Sequence, residues 1–120
     1  MIPKQPRAAA SHAELAAAVR GYLAEHPERR VTLAELEKVF HVSGTTIKST
    51  YREAFGASLY ADTKRRKMLA AAEVLRGTNR TVLEIAGSLG YDNASKFAAA
   101  FRSIYGMSPT EYRAEIRVER

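Results

Sequence analysis

Cysteine is absent from all 120 residues of this chain. Its absence excludes disulfides, thiolate nucleophiles and cysteine-ligated zinc together, and it suits a reducing cytoplasm. Long apolar runs are missing too. Nothing approaches the ~18 consecutive apolar residues that mark a bilayer-spanning helix, so no membrane partner is expected. The opening MIPKQPRAAASHAE is basic and rich in small residues but lacks the apolar stretch of a secretory signal. No segment alternates apolar and polar residues as a half-buried strand does, which leaves an all-α fold. No glycine-rich phosphate loop appears, nor a strand to carry one. His12, His26 and His41 show no ligand spacing with one another or with carboxylates. No serine stands beside a histidine base in a nucleophile motif. No metal, no cofactor and no enzymatic activity are expected.

What is present is apolar, helical and basic. Apolar residues make up 46% of the chain, enough for a core, although a chain this short buries a modest share of its surface. Its length suits one domain or two very small lobes sharing an element. A formal charge of +6 and a pI near 9.8 favour a polyanionic partner.

Helix starts can be read from their caps. Residues 1–10 read as a flexible tail, and Ser11 with Glu14 has capping-box spacing for a first helix bearing the stripe Leu15, Val19, Tyr22 and Leu23. Thr32 and Glu35 make a second box, stapled by Val31 and Leu36, for a short helix ending near Phe40. Ser43 caps the next, with Val42 and Ile47 as its staple and Gly56 as a left-handed stop. Ser58 opens a longer helix running to Gly77, with Leu59, Met68, Ala72 and Leu75 inward. Thr81 and Glu84 form a third box for a helix that stops at Gly90. Asn93 or Asp92 opens a helix closed by Gly106. Ser108, Pro109 and Glu111 supply a cap, a first-turn proline and a box partner for the last helix. About seven helices result.

Two of these segments resemble each other. Thr32 aligns with Thr81, Glu35 with Glu84, and Leu36 with Ile85. After one extra residue in the second turn, Ile47 aligns with Phe97, Tyr51 with Phe101, Arg52 with Arg102, Gly56 with Gly106 and Ser58 with Ser108. Each copy is a short helix, a tight turn and a longer helix, the outline of a helix-turn-helix whose second helix enters the DNA major groove. The organisation expected is a tail over 1–10, a first lobe over 11–57, a linking helix over 58–77 and a second lobe over 78–120. A linking helix of that length spans on the order of 28 Å. Successive major-groove faces lie about 34 Å apart, so two lobes of one chain match the spacing that most such proteins reach as dimers. The competing readings are a helical hairpin duplicated for packing only, a helical protein-protein interaction module, and an excised domain acting only with a missing effector domain.

In the helix from Asn93, the period of 3.6 gathers Phe97, Ala100, Phe101, Ile104 and Tyr105 on the core side. Ser95, Ala99 and Arg102 point away, with Lys96 and Ala98 on the flanks. The helix from Ser43 turns Thr45, Thr46, Lys48, Ser49 and Arg52 outward. Arginine and lysine reach guanine edges or phosphates, serine and threonine bond to base or backbone, and an alanine methyl packs on a thymine methyl. Within Lys64-Arg65-Arg66-Lys67, four consecutive residues spread around a helix, so Arg65 and Lys67 read as solvated. Arg80 and Arg113, near helix ends, are phosphate-contact candidates.

From about Val31 to Arg113 the chain resembles the DNA-binding domain of the AraC/XylS family of bacterial transcription regulators. The resemblance lies in IAGSLGYDNASKFAAAFRSIYGMSPTEYR and matches at Ile85, Ala86, Gly90, Tyr91, Phe97, Phe101, Arg102, Gly106, Ser108, Pro109, Tyr112 and Arg113. It implies two helix-turn-helix lobes joined by a long helix, and sequence-specific binding of double-stranded DNA. By position it places Thr45, Lys48, Ser49, Arg52, Ser95, Ala99 and Arg102 at base edges. Thr46, Arg66, Arg80, Lys96 and Arg113 are the backbone candidates. Family members commonly carry larger side chains near Ala98 and Ala99. Most full-length members also carry an effector-binding or dimerisation domain, which this sequence lacks. That N-terminal effector domain and RNA polymerase are the further partners implied, with the protein in the bacterial cytoplasm and on the nucleoid when bound to DNA. Some DNA-repair methyl-transfer proteins contain a similar module, but their methyl acceptor is a cysteine, which this chain lacks.

Overall fold

Alanine has the highest helix propensity of any residue, and the chain is already helical at residues 8–10, the first of its four triple alanines. The computed structural model describes the backbone of residues 8–118 and the side chains of residues 12–116. Its helices are α1 (Ala8–Glu25), α2 (Leu33–Phe40), α3 (Gly44–Phe55), α4 (Leu59–Gly77), α5 (Val82–Ser88), α6 (Ala94–Tyr105) and α7 (Pro109–Val118), with no strand among the described residues. The helix start expected at Ser11 is therefore corrected to Ala8. Of the expected tail, residues 1–7 lie outside the described residues.

The other starts follow their caps. Thr32 Oγ1 accepts from the Glu35 amide at 3.1 Å, and Ser43 Oγ accepts from the Thr46 amide at 3.2 Å. Asn93 Oδ1 accepts from the Lys96 amide at 2.8 Å. Thr81 and Glu84 satisfy each other's amides at 2.8 and 3.0 Å, and Ser108 and Glu111 do the same at 2.8 and 3.1 Å. Each of these glutamates accepts a backbone N–H, which holds its carboxyl below the usual range. Gly56 and Gly106 close α3 and α6 in left-handed conformations.

The contacts divide the chain into two units. The first contains residues up to His26 and Val31–Thr63; the second contains Pro27–Arg30 and everything from Lys64. In the first, Val19, Leu36, Ile47 and Tyr51 are wholly or almost wholly buried, with Leu15, Tyr22, Leu23, Val31, Phe40, Val42 and Phe55 packed around them. In the second, Met68, Ala72, Leu75, Ile85, Ala86, Phe97 and Phe101 form the centre. Leu59, expected inward, is only partly buried.

Ile104 departs from expectation. It is 37% exposed, because the last turn of α6 closes the core with rings instead. Tyr105 stacks on Phe101 at 4.6 Å between centroids, and Tyr112 meets the pair at 5.3 and 5.2 Å.

Both helix-helix turns pass through the left-handed region, at His41 (φ 57°) in the first and Gly90 (φ 83°) in the second. At Gly90 space is short as well: a Cβ there would come within 2.9 Å of the Arg29 backbone. Gly87, one turn earlier in α5, would meet nothing within 4 Å. Opposite outcomes are expected for the same change. Gly90→Ala should destabilise the second unit by about 1–3 kcal/mol, and Gly87→Ala should stabilise it by about 0.5–1 kcal/mol, both read from urea unfolding midpoints.

Candidate nucleic-acid interface

In α3, Ile47, Thr50 and Tyr51 are buried, and with Gly44 they occupy one arc of the helix. Thr45, Lys48, Ser49 and Arg52 are all exposed on the other arc, and Thr46 is half-buried at its edge. The turn before α3 is held tightly: the Gly44 amide donates to Glu37 Oε2 at 2.5 Å, and a Cβ on Gly44 would strike Leu33 Cδ2 at 2.6 Å. Local bonds engage three of the outward hydroxyl groups. Ser43 Oγ donates to Thr46 Oγ1 at 3.0 Å while capping the helix, and Ser49 Oγ donates to the Thr46 carbonyl at 3.2 Å. Ser43 and Thr46 each keep one lone pair as an acceptor, and Ser49 keeps both. Lys48 and Arg52 give this face its positive charge.

The same division holds in α6. Phe97, Ala100 and Phe101 are buried, whereas Ser95, Lys96, Ala99 and Arg102 are exposed and Ala98 is half-buried. Lys96 Nζ stands 3.7 Å from Asp92 Oδ2 with both side chains mostly in solvent, a pairing worth little in water. Each unit therefore presents a short polar, basic helix face opposite its core.

The backbone candidates separate. Arg66 and Arg80 are exposed. Arg113 instead turns inward within the second unit: its Nε donates to the Leu75 carbonyl at 3.1 Å and its Nη2 to the Thr78 carbonyl at 3.2 Å. These are carbonyls left over at the end of α4, so Arg113 caps that helix.

Lys67, read from sequence as solvated, is half-buried. It donates to the Leu89 carbonyl at 2.9 Å and stands 5.9 Å from the centre of the Tyr91 ring. Burial pushes its ammonium below the usual lysine range; the nearby Glu28 opposes that and Arg30 adds to it. The partners of Lys67, 22 residues away and beyond, left no local trace.

A second group missed in the sequence lies at the centre of the first unit. Asp62 is 3% exposed, and its carboxylate accepts from the Tyr51 hydroxyl of α3. Arg20 of α1 reaches the same carboxylate, with Nη2 3.2 Å from Oδ2. Burial first, and then the Asp62 carboxylate, push the Tyr51 hydroxyl from 10.0 up to about 12.

Among the described residues, no group of three or more histidines and carboxylates could hold a metal ion, and no helix is long and apolar enough to cross a membrane.

A short helix, a tight turn and a longer helix with one buried and one polar arc occur in both units, and a family model described as a helix-turn-helix domain matches residues 36–115. The chain belongs to the AraC/XylS family of helix-turn-helix domains. This AraC/XylS-type domain is 25% identical over 99 residues to the probable transcriptional regulator LumQ of Photobacterium leiognathi, an alignment covering 82% of this chain and 40% of LumQ. Its fold matches the C-terminal domain of AraT, a response regulator from Geobacillus stearothermophilus, with a TM-score of 0.81, 28% identity and 84% of each chain covered. It also matches the DNA-binding domain of the global transcriptional factor AdpA, solved in complex with a target DNA. That match has a TM-score of 0.81 at 26% identity, over 88% of this chain and 95% of that one. The domain spans two fifths or less of the length of the curated relatives it matches first, at 40%, 32% and 29%.

Two outcomes test this local chemistry. Arg113→Met should destabilise the second unit by about 1–3 kcal/mol, because it strips charged-donor bonds from two carbonyls; urea unfolding measures it. The neutral Tyr51 hydroxyl is favoured by folding, so the stability it contributes is fully present below pH 10.0 and is lost as pH climbs toward about 12. Tyr51→Phe should flatten that part of the stability curve, followed by thermal melts at stepped pH.

Proposed function

We propose that this chain binds double-stranded DNA sequence-specifically, with α3 and α6 each entering a major groove, and that it is the DNA-binding part of a bacterial transcription regulator. The observation that carries this reading is the repeated pairing of a buried arc with an exposed, basic polar arc on the second helix of both helix-turn-helix units. The likeness to a DNA-binding domain crystallised on its target supports it, as does the net charge of +6.

On α3, Lys48 and Arg52 are the base-edge donors, with Thr45 and Ser49 beside them. On α6, Arg102 and Ser95 do this work, while Lys96 meets phosphate and the Ala99 methyl faces a thymine methyl. The alanines let the α6 backbone approach the groove floor closely. Thr46, Arg66 and Arg80 serve the phosphate backbone; Arg113 is assigned there only secondarily, since its guanidinium already holds the end of α4. The curated relatives are longer than this chain, which leaves room for an effector domain in a whole regulator; RNA polymerase is the further partner proposed for it. The absence of cysteine fits a cytoplasmic setting.

A second reading, a protein-docking module, is favoured by one observation: Leu83 on α5 is 65% exposed. Salt separates the two. A chain neutralising about six phosphates should lose affinity for a duplex selected from random DNA with a log–log slope of about −5. Lys48→Ala should cost about 1–3 kcal/mol and relax preference at one base pair. Binding that ignores salt, or no duplex recovered from the pool, would sink the DNA reading in favour of the protein module.

A further inference from the structure

We propose that Arg20, Asp62 and Tyr51 act together as a positioning device that fixes the rotation of α3 about its own axis, and thereby sets how sharply the first unit distinguishes one DNA sequence from another. The proposal rests on the DNA-binding reading above.

Three elements of the first unit meet at Asp62, which sits in the first turn of α4. The Tyr51 hydroxyl of α3 donates to its Oδ2. Arg20 of α1 brings Nη2 to 3.2 Å from Oδ2 and 3.4 Å from Oδ1. The same guanidinium lies 4.0 Å above the centre of the Phe55 ring. Tyr51 and Phe55 are one turn apart, with ring centroids 4.7 Å from each other. Helix α3 is thus gripped at two successive turns by groups held on α1 and α4.

Stability alone does not account for this arrangement. The Asp62 carboxylate is withdrawn from water at a heavy desolvation cost while the Arg20 side chain stays 28% exposed, and well-packed apolar side chains of similar volume often do as well as such a pair or better. Here the guanidinium is not even fully satisfied, because Arg20 Nε is buried without a hydrogen-bond partner. What the trio provides and apolar packing does not is direction. The burial of Ile47 and of the Tyr51 ring scales with area and tolerates a small roll of the helix. A hydrogen bond weakens steeply once its angle is lost.

The lever is long enough to matter. A roll of about 20° moves a side-chain tip about 8 Å from the helix axis by about 3 Å, on a helix whose Cα radius is about 2.3 Å. Such a displacement removes a base contact from Lys48 or Arg52, and the same roll pulls the Tyr51 hydroxyl off Asp62. Arg20, Asp62 and Tyr51 need not touch DNA to decide what α3 reads. Arg20 also lies outside residues 36–115, which match the family model, so the device draws on a helix upstream of the matched region.

The test uses the full chain carrying Arg20→Met, Tyr51→Phe and Asp62→Leu together, and a second variant carrying Tyr51→Phe alone, which keeps the ring in the core. The probe is the duplex selected from random DNA by the unaltered chain, plus versions with single base-pair changes. The half-site belonging to α3 is the one whose preference Lys48→Ala relaxes. Both variants are expected to unfold cooperatively with the helical signal retained. At the α3 half-site, discrimination should fall about fivefold or more while the other half-site keeps its own, and α3 amides should exchange hydrogen faster relative to α2. A merely structural role would lower stability without separating the half-sites. Folded variants with undiminished α3 discrimination and unchanged α3 exchange would overturn the proposal. If the triple variant does not fold, Tyr51→Phe decides by the same two readouts. If the unaltered chain binds no duplex, the DNA reading fails and the exchange comparison alone decides whether the trio holds α3.

Discussion

A helix that buries one stripe must show the opposite stripe to solvent, and both units of this protein turn on that constraint. Ile47, Thr50 and Tyr51 sink one arc of α3; Phe97, Ala100 and Phe101 sink one arc of α6. Burying those side chains stabilises the units by roughly 1.5–3 kcal/mol for each large apolar group. The cost of rolling either helix outward is therefore high. What is left facing water is a narrow arc of threonine, serine, lysine, alanine and arginine. The faces proposed to read DNA are the geometric remainder of the cores, which is why each helix carries both duties in only 12 residues.

The two units reach that constraint by different chemistry. In the second, the centre is a run of aromatic rings, with Phe97, Phe101, Tyr105 and Tyr112 in tilted, stacked and edge contacts. Such packing favours offset and edge-to-face ring geometries but ties no ring to a single partner atom. In the first, the corresponding position to Phe101 is Tyr51, and its added hydroxyl bonds a buried acidic partner that a half-buried arginine also reaches. One oxygen atom thus separates a helix centre packed through rings alone from one that also donates a buried hydrogen bond. The duplication preserved the backbone plan and the caps, and it left the means of holding the second helix free to diverge.

Charge on this molecule is a poor guide to duty until the folded partners are known. Four basic residues in a row at Lys64–Lys67 look equivalent along the chain, yet Lys67 folds back to a carbonyl and Arg66 stays in solvent. Arg113 belongs to the motif that carries the family resemblance, and its guanidinium is spent on the open carbonyls of α4. A helix end is an electrostatic demand like any phosphate, and the nearer demand is met first.

Six of the seven helix starts were legible along the chain, that of α6 to within one residue, because a cap is decided within four residues: Thr32, Ser43, Ser58, Thr81, Asn93 and Ser108 each bind an amide three positions on. Periodicity likewise determined the inner and outer arcs of α3 and α6, since 3.6 residues per turn is a local rule. The start expected at Ser11 failed because the alanines at 8–10, the strongest helix formers, already carry α1 ahead of it. Ile104 escaped because the end of a core depends on which neighbour reaches it. Nothing local announces that Arg20 meets Asp62 across 42 residues, or that Pro27–Arg30 pass close enough to Gly90 to require a glycine there. The reason is physical: capping and periodicity act over a few ångströms of one chain segment, whereas a buried charge or a close backbone approach takes its partner from whatever the fold brings alongside.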